Sequence, residues 1–259
     1  MVEPHFVYLC LFAFLAGLID SVVGGGGLIQ LPALFVFLPK ELSGSLALVF
    51  GTNKFASLCG TSVAAVQYAR RVSISWSSIL PAGITAFIFA FLGARVVSLL
   101  RADLIKPVVL LLLVAVAVRT YGKKDLGHLH APKFAAHRER LFGILVGMVI
   151  GFYDGFFGPG TGSFLIFIFI GWFGFDFLSA SASAKVINFA TNLSAVLYFA
   201  FTDQILYRYA LPMAACNIAG SLTGTRLAVA RGNKFVRRLF LCVVAVMIAR
   251  FGWDLFAGG

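Results

Sequence analysis

The sequence predicts an all-α polytopic membrane protein made of two inverted-topology repeats, each a glycine-broken helical hairpin plus three transmembrane helices. Three observations lead there. The chain of 259 residues is 60% hydrophobic and only 12% charged, with 28 Phe, well beyond the roughly 45–50% apolar content of soluble domains. Its apolar runs have the length of a bilayer crossing, and the chain repeats itself at the positions where those runs are interrupted.

A helical span needs about 20 apolar residues. Runs of that kind lie at 44–69, 76–100, 103–119, 178–202, 207–229 and 235–255. Two further regions, 5–38 and 140–175, exceed one span and are interrupted by glycines. A single polar stretch, 120–140, has the character of a linker, so no soluble domain fits. The chain reads as one transmembrane domain, 1–259, divided into repeat one at 1–119, a cytoplasmic linker at 120–140 and repeat two at 141–259. The N-terminal run has Glu3 but no Lys or Arg before it, unlike a cleaved signal sequence. Cys10, Cys59, Cys216 and Cys242 fall in apolar segments without CxxC spacing and read as small packing residues.

The repeat is carried by Gly, Asp, Lys, Pro and Arg rather than by Leu and Val, which any two membrane helices share. Gly17, Asp20, Gly24 and Gly26 align with Gly151, Asp154, Gly158 and Gly160. At a slightly shorter offset, Lys54, Pro81, Gly93, Arg95 and Arg119 align with Lys185, Pro212, Gly224, Arg226 and Arg250. If each glycine-broken region enters and returns on one side, every half makes an odd number of crossings and the halves are inverted. The basic residues agree. Placing 120–140 inside puts 13 Lys and Arg on the cytoplasmic side, Arg70, Arg71 and Arg226 among them, against 6 outside. The net charge of +11 is therefore a topology signal and not the mark of a nucleic-acid partner. Single crossings at the breaks would make the repeats parallel, and charge alone does not separate the two arrangements.

Lys54 and Lys185 are the two cations that topology leaves over. At depth in a bilayer a lysine costs at least about 2.5–3.5 kcal/mol unless it snorkels, pairs with a carboxylate such as Asp20 or Asp154, or faces a polar cavity. Lys185, Asn188 and Asn192 share one helical face, as do Lys54, Ser57 and Thr61. A cation among amides and hydroxyls is an anion-binding surface. The glycine breaks add a second ingredient, because a helix that restarts at mid-membrane offers unpaired N–H groups and the positive end of its dipole. Gly24, Gly25, Gly26 and Gly27 form the first break, with Gln30 beyond it. Gly158, Gly160 and Gly162 form the second, with Thr161 and Ser163. Paired glycine-interrupted segments are the best pointer to a transporter's binding site. Thr52 and Asn53, beside Lys54, complete the candidate substrate site.

Asp20 and Asp154 stand one turn before the breaks. They either brace the freed backbone or carry a coupling proton; bracing is the better fit, because a bare carboxylate repels an anion. Gly83, Gly93, Gly220 and Gly224 read as packing residues. His128 and His130 lie in a basic loop with too few neighbours for a metal site. The motif around Pro159 is neither a Walker loop nor a dinucleotide fingerprint, so no metal, cofactor or nucleotide is expected.

At residues 17–32, 51–61, 151–164 and 184–199 the chain resembles the sulfite exporter TauE/SafE family, also called the 4-toluenesulfonate uptake permease family. The resemblance covers nearly the whole chain. It implies a multi-pass carrier in the bacterial inner membrane for a small sulfur oxyanion or sulfonate, such as sulfite or an organosulfonate, with protons as a candidate coupling ion and the lipid bilayer as surroundings. The family motifs fall on Asp20, Gly24, Gly25, Gly26, Gly27, Thr52, Asn53 and Lys54, then on Asp154, Gly158, Gly160, Thr161, Gly162, Lys185, Asn188 and Asn192. The halves are unequal: Gly27 aligns with Thr161, Ser57 with Asn188 and Ala86 with Asn217. The expected mechanism is alternating access, with the anion held at mid-membrane between the breaks and the lysines. The alternatives are an anion channel and an intramembrane aspartyl protease built on Asp20 and Asp154. The protease needs two facing carboxylates that share a proton, and no GxGD surrounds either aspartate.

Overall fold

The structure is a computed structural model that describes residues 4–97 and 135–256. The expected span at 103–119, most of the linker, and His128 with His130 lie outside the described residues. Among the described residues every regular element is helical. The order is α1 (Pro4–Val23), α2 (Gly27–Phe37), α3 (Lys40–Ser43), α4 (Leu46–Ala69), α5 (Trp76–Val97), α6 (Ala136–Phe156), α7 (Thr161–Ile168), α8 (Phe177–Phe201) and α9 (Tyr207–Phe256). A π-helical turn, Phe169–Phe173, extends α7, and Gly232 breaks α9 at φ 68°.

Both long regions are interrupted where the glycines fall, between α1 and α2 and between α6 and α7. The first is a hairpin: Phe37 at the end of α2 stacks on Tyr8 and Phe12 of α1, with centroids 5.1 and 5.7 Å apart. Three helices, His5–Val23, Trp76–Val96 and Phe177–Phe201, are long and apolar enough among the described residues to cross a membrane by themselves. α4 has the length, but Thr52, Asn53 and Lys54 lower its mean hydropathy; a span built around a polar site looks less like a span. Two of the long helices, α4 and α8, start on polar caps. Ser45 accepts from Leu48 N at 3.5 Å, and Asp176 accepts from Ser179 N at 2.8 Å.

The packing is crossed. The long helix α5 lies along α6, and α1 lies along α9, while α4 and α8 meet in the middle. Water drives none of this within a bilayer, so close backbone approach has to. Gly143, Gly147, Gly151 and Gly155 run down one face of α6, where an added Cβ would meet Ser78, Ala82, Ala86 and Ala90 of α5 in turn. On the other seam, Gly17 of α1 presses on the Asn217 carbonyl, and Gly220 and Gly224 of α9 press on the carbonyls of Phe14 and Leu18. Gly93, Gly220 and Gly224 are packing residues as expected. Gly83 is not closely packed, since its nearest neighbour, the Ala190 Cβ, would be 3.9 Å from an added Cβ.

Gly151→Leu should force α5 and α6 apart and cost about 1–3 kcal/mol, the usual penalty of overpacking. A thermal unfolding midpoint in detergent reads this, with Gly83→Ala expected not to lower it, since a methyl group fits there and alanine favours the helix.

Candidate functional site

The two breaks face each other across the centre of the bundle. α1 ends with carbonyls that no helical turn satisfies, and the hydrocarbon region holds no water to satisfy them. The Asp20 carbonyl keeps a last helical bond, from Gly24 N at 2.9 Å, and the other three find partners from elsewhere in the chain. Ser21 O accepts from the Tyr68 hydroxyl at 2.9 Å and Val23 O from Ser163 Oγ at 2.8 Å, while Val22 O, at 3.1 Å, shares the Ser181 hydroxyl with the Phe177 carbonyl at 2.8 Å. The Gly24 carbonyl takes Ser163 N at 3.2 Å. The first break is thus held by α4, α7 and α8. The second is held more locally: Thr161 Oγ1 donates to Gly158 O at 2.7 Å, and Tyr153 Oη donates to Pro159 O at 2.8 Å.

Glycine is required at the crossing point. Gly24 has φ +78° and Gly158, its repeat mate, +87°, a region that side chains other than glycine's disfavour. Gly24 also lies against the Gly162 backbone, so that a Cβ on either would overlap the other chain segment.

Beside this crossing sit two buried ion pairs. Lys54 Nζ stands 2.9 Å from Asp154 Oδ2, and Lys185 Nζ stands 2.7 Å from Asp20 Oδ2. Each lysine therefore takes its carboxylate from the other half. The pairs differ. Lys185 donates a hydrogen bond to Asp20, whose Oδ1 also accepts from Gly26 N at 3.3 Å. Lys54 approaches Asp154 at an angle unsuited to a hydrogen bond, and Asp154 Oδ2 has no hydrogen-bond donor among the described residues. Asp20 is 20% exposed and Asp154 5%.

A cavity of about 30 Å³ lies between the pairs. Its wall includes Asp20, Asp154 and Lys54, the backbone of Gly24, Gly27, Gly158, Gly160 and Gly162, and the side chains of Asn53, Ser57, Thr161, Asn188 and Asn192. The amide oxygens of Asn53 and Asn188 are buried with no hydrogen-bond partner among the described residues. An amide turned over offers its NH2 instead. The cavity has room for about one water, too little for a sulfur with three oxygens.

Thirteen residues picked out by sequence therefore converge on one small space. Six do not reach its wall, and the structure gives several of them other work. Lys185 is fully buried against Asp20. Ser163 caps the first break, and Thr52 Oγ1 accepts from Leu206 N at 3.1 Å, ahead of α9. Gln30 donates to the Asn53 carbonyl at 3.4 Å and accepts from Asn217 Nδ2 at 2.9 Å, tying α2 to α4 and α9. Gly25 and Gly26 form the turn itself. Sequence reasoning missed Tyr68 and Ser181 as caps; a buried tyrosine and a serine in a span carry no signal of which distant carbonyl they serve.

Known proteins resemble the chain over nearly its whole length. The model of the sulfite exporter TauE/SafE family matches residues 9–251. The probable membrane transporter protein ORF9 of Sinorhizobium sp is 35% identical over 93% of this chain and 90% of its own length. The probable membrane transporter protein YfcA of Escherichia coli (strain K12) is 31% identical over 98% of this chain and 92% of its own. One from Haemophilus influenzae is 31% identical over 93% and 92%. No solved structure matches the chain.

Lys54→Met leaves Asp154 buried and unpaired, and should cost about 3–5 kcal/mol of stability. Adding Asp154→Leu should recover most of the loss, because a buried pair replaced by apolar groups is close to neutral. Unfolding midpoints of the single and double variants check both halves of the statement.

Proposed function

The chain belongs to the sulfite exporter TauE/SafE family, and from that premise we propose that it is a secondary transporter of small sulfur-containing anions, sulfite or organosulfonates, working by alternating access as a multi-pass protein of the bacterial inner membrane. The observation that carries the reading is the convergence of both glycine breaks and both buried ion pairs on one polar cavity. The anion binds there between the breaks, within reach of the Gly27 and Gly162 N–H groups, the amides of Asn53, Asn188 and Asn192, and the Lys54 ammonium, with the Lys185 ammonium held back by Asp20.

The two halves act as inverted repeats that rock about this point. The crossed helix packing supports that arrangement: α1 of the first half rides on α9 of the second, and α6 of the second on α5 of the first. The α1–α2 hairpin supports the odd crossing number that inversion needs. A cavity of about 30 Å³ fits a closed stage of the cycle, and it favours a carrier over an open anion channel.

Charge balance brings in the proton. Two ammonium groups against two carboxylates leave the site electroneutral, so an arriving anion meets no net attraction. A proton taken up by Asp20 releases the Lys185 ammonium to the anion, and proton and anion then cross together. Asp20 is the more exposed of the two carboxylates and the better placed for this exchange. Asp154 keeps the bracing role. Since each aspartate has a lysine partner, the facing carboxylate pair of a protease is not what these residues make.

The test is anion flux in proteoliposomes across sulfite, sulfate, thiosulfate and sulfonates, with and without a pH gradient. Lys185→Ala should lower flux about tenfold or more, the value of a charge-assisted hydrogen bond, and Lys185→Arg should restore part of it. Wild-type flux in both the Lys54→Ala and Lys185→Ala proteins would refute the site. An imposed proton gradient should drive wild-type flux, and Asp20→Asn should uncouple flux from the gradient.

A further inference from the structure

A second polar feature lies away from the central cavity. The last turns of α4 and the facing stretch of α9 enclose a groove of about 480 Å³, with Arg70, Arg71 and Arg226 at its mouth and Val63, Val66 and Leu222 along its wall. All three arginines are exposed, and none forms an ion pair with a carboxylate among the described residues. The basic-residue bias assigns all three to the cytoplasmic side. We propose that this groove binds an anionic phospholipid of the inner leaflet, the headgroup phosphate among the arginines and an acyl chain along the valines and Leu222.

Four observations carry the assignment. Arg70 and Arg71, just past the end of α4, and Arg226 on α9 line one groove, and guanidinium forks suit phosphate oxygens. A basic pocket between transmembrane helices on the cytoplasmic side is the setting in which such headgroups bind. The groove is far larger than a small oxyanion requires, and its apolar wall offers such an anion nothing. The side-chain oxygen of Gln67, which also lines the groove, is buried without a donor among the described residues. A glycerol headgroup brings both a phosphate and hydroxyl donors, so it matches the arginines and the amide together. Bound there, the lipid would bridge α4 of the first half to α9 of the second.

Native mass spectrometry of the detergent-purified full chain tests this, with phosphatidylglycerol, phosphatidylcholine and sn-glycerol 3-phosphate as separate probes. Phosphatidylglycerol should be retained well above phosphatidylcholine, and each arginine replaced in the series R70Q, R71Q, R226Q should weaken it about fivefold. Val66→Trp keeps every charge but fills the wall, and should also lower retention. Thermal midpoints report that the variants remain folded; for a variant that does not, Val66→Trp alone decides. Equal retention of the two lipids, or unchanged retention in the triple arginine variant, overturns the proposal. So does glycerol phosphate displacing the lipid with Val66→Trp without effect, which would make the groove a site for soluble anions. None of these outcomes depends on which anion the central cavity carries.

Discussion

Inside an apolar bundle no water answers for a charge or an open carbonyl, and two buried lysines, two aspartates and two interrupted helices must therefore satisfy one another. The crossed ion pairs are the centre of that arrangement. Lys54 takes Asp154 and Lys185 takes Asp20, so neither half is complete without the other. Removing a single partner strands a charge at a cost of several kcal/mol. The same logic reaches the backbone: the carbonyls left open where α1 stops are answered by Tyr68, Ser163 and Ser181 from three other helices. The breaks are in this sense as structurally determined as the helices around them.

The helix seams follow from this. Ion pairs that cross between the halves hold them together only if the backbones come close, and close approach in a membrane is a matter of small side chains. The glycine face of α6, repeating every fourth residue from Gly143 to Gly155, admits α5 to contact with its backbone. The seam of α1 with α9 uses Gly17, Gly220 and Gly224 in the same way. Gly24 against Gly162 extends the pattern into the site itself, where the absent side chains leave room for two turns to cross.

Much of this was legible in the sequence, for a physical reason. Breaks, buried charges and their repetition are local features: Asp20 beside a run of glycines, or Lys54 among Asn53 and Ser57, stands out against apolar neighbours wherever it folds. The convergence of these residues on one cavity could accordingly be anticipated. Pairing was not legible to the same degree. That Lys185 turns to Asp20 and away from the cavity wall, that Thr52 caps the chain ahead of α9, and that Ser163 serves α1 are all decided by contacts between residues more than a hundred positions apart. The four-residue glycine period in α6 is local too, yet which helix it admits is settled only by packing against α5.

The unequal ion pairs bear on how such a site works. In a strictly two-fold arrangement both lysines would be equally held and equally available. Here Lys185 is fixed by a well-formed hydrogen bond to a carboxylate that is 20% exposed and takes a second bond from Gly26, whereas Lys54 lines the cavity beside a sealed aspartate that it meets at a poor angle. Whatever changes the charge on Asp20 acts at once on Lys185 and on the turn that holds α2 in place. A change on Asp154 acts on Lys54 and on the tightly packed Gly158, where an added Cβ would lie 3.0 Å from the ammonium. The first pair thus links charge to the geometry of a break, and the second sets the charge that lines the cavity. Sequence divergence between the halves, Gly27 against Thr161 and Ser57 against Asn188, falls on the wall of the same cavity, so its lining is unequal as well as its ion pairs.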